Sequence, residues 1–460
     1  MNERNHIADS THQYKIVVVF IAMLPFVYMI QVVGGHPAFG ILGYLPVFLL
    51  LFILIKGWPG ELAVYAKSIT TLSLLLTALI GSNAISGLMA LVHGNVGIAG
   101  RVIVLFVLPF MVFLAGRRLS ENHHWGIVKV IAITAAIVAV ELTWESVSVW
   151  ILREPSWFQL TNRYYVLAHT GKDLGQLWWI EYRPPGLLEH VHATVFFLLL
   201  GAVAGTAAYV KTASNGFLIA AVLCSTVLVS HGVRFPLAVA MTSLAIMLIV
   251  MHRALNAEAR PRVSRALWAL LIAAGIALIA DPFDTVERFY MPVLTQGIWS
   301  IERSEITATG VVITGVEGAV DVAQSRLRAN LFDRDFFQGL LGHGIASSLI
   351  GNVDGLDDDF FVAQIFSQYG LLGGTMFYVI FFTALVASIY LIKDPHKNDV
   401  LLIVFATTAV AILAISTLHS GVVQRKAIFG ILMWLLAVID GRLMRVKSSH
   451  SQPKFSGVHD

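Results

Sequence analysis

The run HATVFFLLLGAVAGTAAYV, residues 192–210, decides what kind of fold this chain adopts. It holds no Asp, Glu, Lys or Arg and ends against Lys211. A helix rises about 1.5 Å per residue, so a run of this length matches the roughly 30 Å hydrocarbon core of a bilayer. Outward from it, apolar runs recur along the whole chain, at approximately 15–33, 38–55, 68–92, 100–115, 128–151, 216–232, 234–251, 266–281, 369–392, 399–418 and 427–444. The expected fold is therefore an all-α polytopic membrane protein of about 12 transmembrane helices, with residues 1–460 forming a single membrane domain. Composition agrees: hydrophobic residues make up 57% and charged residues 13%, about half the charged share of a soluble domain. No small-residue cleavage site follows the first run near Lys15, which reads as an uncleaved helix rather than a signal peptide. Cys224, the only cysteine, lies inside an apolar run, which excludes an internal disulfide and a cysteine metal site.

The net charge of +3 says little; its placement says more. Lys56 and Lys67, then Arg117, Arg118 and Lys129, then Lys211 occupy alternate loops. The series continues with Arg253, Arg260, Arg262 and Arg265, then Lys393 and Lys397, then Arg442, Arg445, Lys447 and Lys454 in the tail. Every second loop is basic, which puts those loops and both termini in the cytoplasm and predicts a bacterial inner membrane location.

Two segments are too polar to span, and both fall on the outer, periplasmic side: a first loop at 152–191 and a large loop at 282–368, between the ninth and tenth helices. Loops this long are usually functional. The first is rich in Trp and Tyr, and the second alternates apolar and polar residues, so short helices at the membrane surface are expected. The aromatic group Trp157, Phe158, Tyr164, Tyr165, Trp178, Trp179 and Tyr182 reads as an interfacial belt, with stacking on sugar rings as the alternative. No internal repeat points to the inverted halves of a transporter.

The outer-side basic residues sit near helix ends: Arg101, Arg183, His190, His192, His231, Arg234, Arg326, Arg328, His343, Arg425 and Lys426. Arg101, Arg425 and Lys426 are as readily snorkelling anchors. Arginines on the outer side run against the positive-inside bias, and their planar forks suit bidentate grip on the phosphates of a lipid pyrophosphate. Glu141 and Glu145 lie one turn apart on one helix face and need a partner inside a span; pairing with Arg101 or Arg234 is expected, with a catalytic role as the alternative. From Asp281 to Asp359 the chain carries thirteen acids against five arginines. The cluster Asp354, Asp357, Asp358 and Asp359 has three readings: a solvated acidic turn, a divalent-cation site without EF-hand spacing, or a source of a general base.

Three stretches resemble the O-antigen ligase and polymerase superfamily, integral membrane glycosyltransferases that use polyprenyl-pyrophosphate-linked sugars. Arg183-Pro-Pro-Gly186-Leu-Leu-Glu-His190-Val-His192 is similar to the family's Arg-x-x-Gly segment, with Val191 where Pro is common. Ser230-His231-Gly232-Val233-Arg234 resembles its Ser-Arg-Gly step, with His231 in the usual Arg place and Arg234 three residues later, on the same helical face. Ser325-Arg326-Leu-Arg328, Leu341-Gly342-His343-Gly344 and Asp357-Asp358-Asp359-Phe360-Phe361, followed by Gln368-Tyr369-Gly370-Leu-Leu-Gly373, resemble the loop that precedes the tenth helix. Ligases often have His eleven residues before that first Gly; Asp359 stands there, as in the polymerase branch.

The resemblance implies inverting glycosyl transfer at the periplasmic face, polymerising lipid-linked repeat units into a surface polysaccharide (O-antigen, capsule or exopolysaccharide) of a Gram-negative envelope. Arg183, His190, His192, His231, Arg234, Arg326 and Arg328 would hold the pyrophosphate and stabilise its leaving charge. Asp359 is the first candidate for general base and His343 the second. No metal, cofactor or nucleic acid is expected; the implied partners are the lipid-linked oligosaccharide, the bilayer, a chain-length regulator and a flippase. The rival readings are a ligase acting on another acceptor and a polysaccharide transporter.

Overall fold

The computed structural model describes residues 3–26, 68–92, 108–152, 186–188, 191–231, 234–255, 257–284, 286, 328, 340, 361–393, 399–417 and 426–451. Every extended element among them is helical: α1 Glu3–Met23, α2 Thr71–Val92, α3 Leu108–Gly116, α4 Glu121–Ser146, α5 Val191–Thr212 and α6 Asn215–Ser230. They continue as α7 Arg234–Ala254, α8 Arg260–Ala280, α9 Phe361–Ile392, α10 Val400–Ser416 and α11 Lys426–Ser451. The expected span at 38–55 and nearly all of both long polar segments lie outside the described residues.

Among the described residues five helices are long and apolar enough to cross a membrane: Glu121–Leu152, His192–Thr212, Leu237–Ala254, Arg260–Ala280 and Tyr369–Ile392. Their outward faces are apolar too. Trp268, Ile272, Ile276 and Ile279 are exposed along α8, Ile279 at 88%, at the spacing of one helical face. In water such a stripe would be a costly patch; against lipid tails it costs little.

α5 is the central helix, buried at every position from Ala193 to Val210. It packs on α4, α6, α7, α8 and α10. Small residues let these helices approach: a Cβ on Gly205 would lie 2.9 Å from the Phe217 carbonyl oxygen of α6. α11 packs on α3, α9 and α10, and α9 also packs on α2.

Polar side chains tie one end of the bundle together. The Arg117 and Asp440 side chains, both buried, form an ion pair of 2.5 Å. Arg117 also donates to the Ser68 carbonyl at 2.7 Å, and the Thr70 hydroxyl donates to Asp440. Lys211 meets Asp399 at 2.8 Å, Arg442 meets Glu121 at 2.8 Å, and Arg262 donates to the Val210 carbonyl at 3.1 Å. Tyr14 stacks on His123 with centroids 4.5 Å apart, which brings α1 to the same end. The described basic loops thus converge at one end of the bundle.

Asp399 lies one residue outside α10 and caps it, accepting from the Leu402 N–H at 3.2 Å. Burial pushes its carboxyl up, but hydrogen bonds with the Glu121, Lys211 and Trp125 side chains outweigh that and hold it at about 2. The Trp125 indole N–H donates to it at 2.7 Å.

α9 begins earlier than the apolar run predicts. Phe361 opens it, and Gly370 interrupts it at φ 65, ψ −174. A left-handed φ suits glycine, so Gly370 makes an elbow inside the helix rather than its start. The first residues of α9 fold back there: a Cβ on Gly374 would meet the Phe366 ring at 2.5 Å.

Candidate functional site

The end opposite the basic loops holds Gly186–Leu188, His192, Ser230 and His231, described residues of two stretches singled out in the sequence. Three helices in mutual contact deliver them: the last turns of α4, the first turn of α5 and the last turn of α6. α4 does not stop at Ser146. It continues as a π-helical turn, Val147–Leu152, a wider winding that recurs at functional sites. That turn carries Trp150 into a small apolar cluster with Val149 and Phe283.

His231 lies beneath this cluster, 1% exposed, as the residue that ends α6. Its ring centroid is 5.7 Å from that of Trp150, and Trp150 is 5.0 Å from Phe283. Its backbone N–H donates to the Val227 carbonyl at 2.9 Å, which continues the helix through His231 before Gly232. Three segments far apart in sequence (the end of α4, the end of α6 and the turn after α8) meet at the Trp150 indole. Phe283 is placed by Asp281, whose left-handed backbone (φ 31) ends α8 and whose carboxylate accepts from the Val286 N–H at 2.9 Å.

The second feature joins α4 to the Arg-x-x-Gly stretch. Glu145, fully buried, accepts the Gly186 N–H at 3.1 Å. Gly186 opens the one-turn helix Gly186–Leu188 at φ 65. A Cβ there would lie 2.9 Å from the Thr194 methyl of α5, so both conformation and space select glycine. Leu187 and Leu188 are buried, and the turn packs on α4, α5 and the Leu24–Phe26 turn after α1. The first polar segment thus sends at least one buried turn into the bundle end.

Glu141, one turn deeper, has both carboxylate oxygens buried and no hydrogen-bond partner among the described residues. Of the expected partners for this acid pair, Arg101 and the Arg234 side chain lie outside the described residues.

The remaining candidates are placed as follows. His192 is the second residue of α5 and half-buried. Arg234 is the first residue of α7, and Arg328 is exposed. Arg183, His190, Arg326, His343 and Asp359 lie outside the described residues, as does the cluster Asp354, Asp357 and Asp358. Among the described residues no group of three or more His, Cys, Asp or Glu is arranged to hold a metal ion.

Sequence reasoning passed over Trp150 and Phe283 as site neighbours. Trp150 sits at the boundary of an apolar run, where an aromatic is ordinary, and Phe283 follows Pro282 in a turn. The Glu145–Gly186 bond has a backbone donor, and a backbone donor leaves no mark in a sequence. In comparisons with known proteins, no family model matches the chain and no curated protein matches it.

Proposed function

We propose that this chain is a multi-pass inner-membrane glycosyltransferase that polymerises polyprenyl-pyrophosphate-linked oligosaccharide repeat units at the periplasmic face. About twelve helices cross the bilayer, both termini are cytoplasmic, and the segment 282–368 forms the large outer loop. The observation that carries the reading is a juxtaposition. Gly186 and His192 of one stretch and His231 and Arg234 of another sit on contiguous helix ends, opposite the end where the basic loops converge.

In this reading guanidinium forks on the outer helix ends hold the pyrophosphate and take up its charge as the anomeric carbon–oxygen bond breaks. Asp359 accepts the proton of the attacking sugar hydroxyl, and the hydroxyl oxygen bonds to the anomeric carbon with inversion. Asp359 precedes α9 by two residues in the sequence.

The test is purified protein with a lipid-linked repeat unit, scored for products. A ladder of lengths supports polymerisation. A single transfer to a foreign acceptor replaces it with ligation, and no transfer at all returns the chain to the transporters.

A further inference from the structure

The carboxyl that holds the Gly186 turn sits at a point where little else in the main chain can be held. Pro184 and Pro185 have no N–H, so Gly186 supplies the first main-chain donor after Arg183. Glu145 takes that donor at 3.1 Å from a fully buried position on α4. On the other side, the Thr194 methyl closes over the same glycine, and Thr194 is two residues from His192. The turn is therefore clamped between α4 and α5, with the pyrophosphate candidates Arg183 before it and His192 after it in the sequence.

We propose that Glu145 is a positioning residue: its bond to the Gly186 N–H fixes the Gly186–Leu188 turn against the first turn of α5, the helix that carries His192 toward the pyrophosphate. The assignment rests on the glycosyl-transfer reading for its purpose, and on the described geometry alone for the clamp. Glu145 touches no reacting atom in this scheme. Its carboxyl oxygen serves as an acceptor, a role that a carboxamide oxygen fills as well.

Two variants separate acceptor from acid. Glu145→Gln keeps an acceptor oxygen and should retain kcat/KM within about threefold. Glu145→Ala removes it, and a misplacement near 1 Å should lower kcat/KM by roughly 10²-fold. The Glu145→Ala pH profile should keep the wild-type shape, because the general base is untouched. Should Glu145→Ala fail to insert, Glu145→Met fills the volume without an acceptor and replaces it.

A second readout needs no turnover. In a Cys224→Ser background, a cysteine at Leu188, buried in the turn, should react slowly with maleimide in the purified protein. Glu145→Ala should speed that reaction at least about tenfold, and Glu145→Gln should not. Unchanged labelling in Glu145→Ala overturns the clamp, as does wild-type activity in that variant. Equal loss in Glu145→Gln and Glu145→Ala overturns the positioning role in favour of an acid that must ionise. If the wild-type protein makes no product while labelling responds as stated, the transfer reading falls and the clamp stands.

Discussion

Trp150 covers His231, with ring centroids 5.7 Å apart and planes inclined at 34°. The contact links the π-helical end of α4 to the end of α6 and closes the imidazole off from solvent. It also bears on which side chain stands in for the arginine of the Ser-Arg-Gly step that this stretch resembles. An imidazole 1% exposed under an indole is poorly placed to grip a pyrophosphate, whereas Arg234 opens the next helix three residues on.

Arg234→Ala should therefore remove most transfer activity, Arg234→Lys should restore part of it, and Arg326→Ala should behave like Arg234→Ala. A point charge cannot reproduce the bidentate fork. His231→Ala should act mainly through packing, lowering thermal stability in detergent as Trp150→Ala does. Full activity in Arg234→Ala with none in His231→Ala would hand the role to the histidine.

The Arg117–Asp440 pair supplies a stability prediction at the other end. Both side chains are buried, so removing one leaves an uncompensated charge, at a cost of about 3–5 kcal/mol. Asp440→Leu or Arg117→Met alone should sharply lower the melting temperature in detergent. The double variant should recover much of the loss, and a double variant as unstable as the sum of the singles would contradict the pairing.

Glu141 should behave in the opposite way. Its oxygens are buried without a described partner, so Glu141→Leu removes a polar group and forfeits no hydrogen bond to a described residue. The variant should be as stable as wild type or more so, whereas Glu145→Leu, which orphans the Gly186 N–H, should be less stable. A large loss of stability in Glu141→Leu would show that the carboxyl has a partner.

Asp399 gives a pH dependence. Its folded value, about 2, lies below the ordinary carboxylate value, so its contribution is complete at neutral pH. That contribution is lost as pH falls from about 4 through the folded value, when the carboxylate takes up a proton. Melting temperature in detergent should drop more steeply across that window for wild type than for Asp399→Asn, which has no carboxylate to protonate. Parallel curves would mean that the Lys211 and Trp125 contacts do not stabilise the ionised form.

Much of the helical plan was legible because a bilayer imposes a minimum run length that few soluble helices meet. What the runs did not mark is where helices continue past the lipid. α8 starts at Arg260, not at 266, because Arg260, Arg262 and Arg265 end the apolar run but are good helix formers, with Pro261 in the first turn. α11 likewise runs on to Ser451 through Arg442, Arg445 and Lys447. α1 starts at Glu3 instead of Lys15 and is broken at Leu24–Phe26, where Pro25 lacks the N–H that would continue it.

The candidate site was legible in part. Short motifs pointed to Gly186, His192, His231 and Arg234, and the described positions of these residues fall at one end of the bundle. The side chains that hold them were not, since Trp150, Phe283 and Glu145 act across separations such as the forty-one residues from Glu145 to Gly186. Contacts at that range follow from helix packing, and local spacing does not encode them.

The central claim is that transfer takes place at the end away from the basic loops, and oriented vesicles test it most directly. Right-side-out and inverted membrane vesicles, both carrying the protein and a radiolabelled lipid-linked repeat unit, would be treated after reaction with a membrane-impermeant glycosidase. The predicted result is a ladder of products that the enzyme digests in right-side-out vesicles and leaves intact in inverted ones. A ladder protected in right-side-out vesicles and digested in inverted ones, or no ladder in either, would contradict the account.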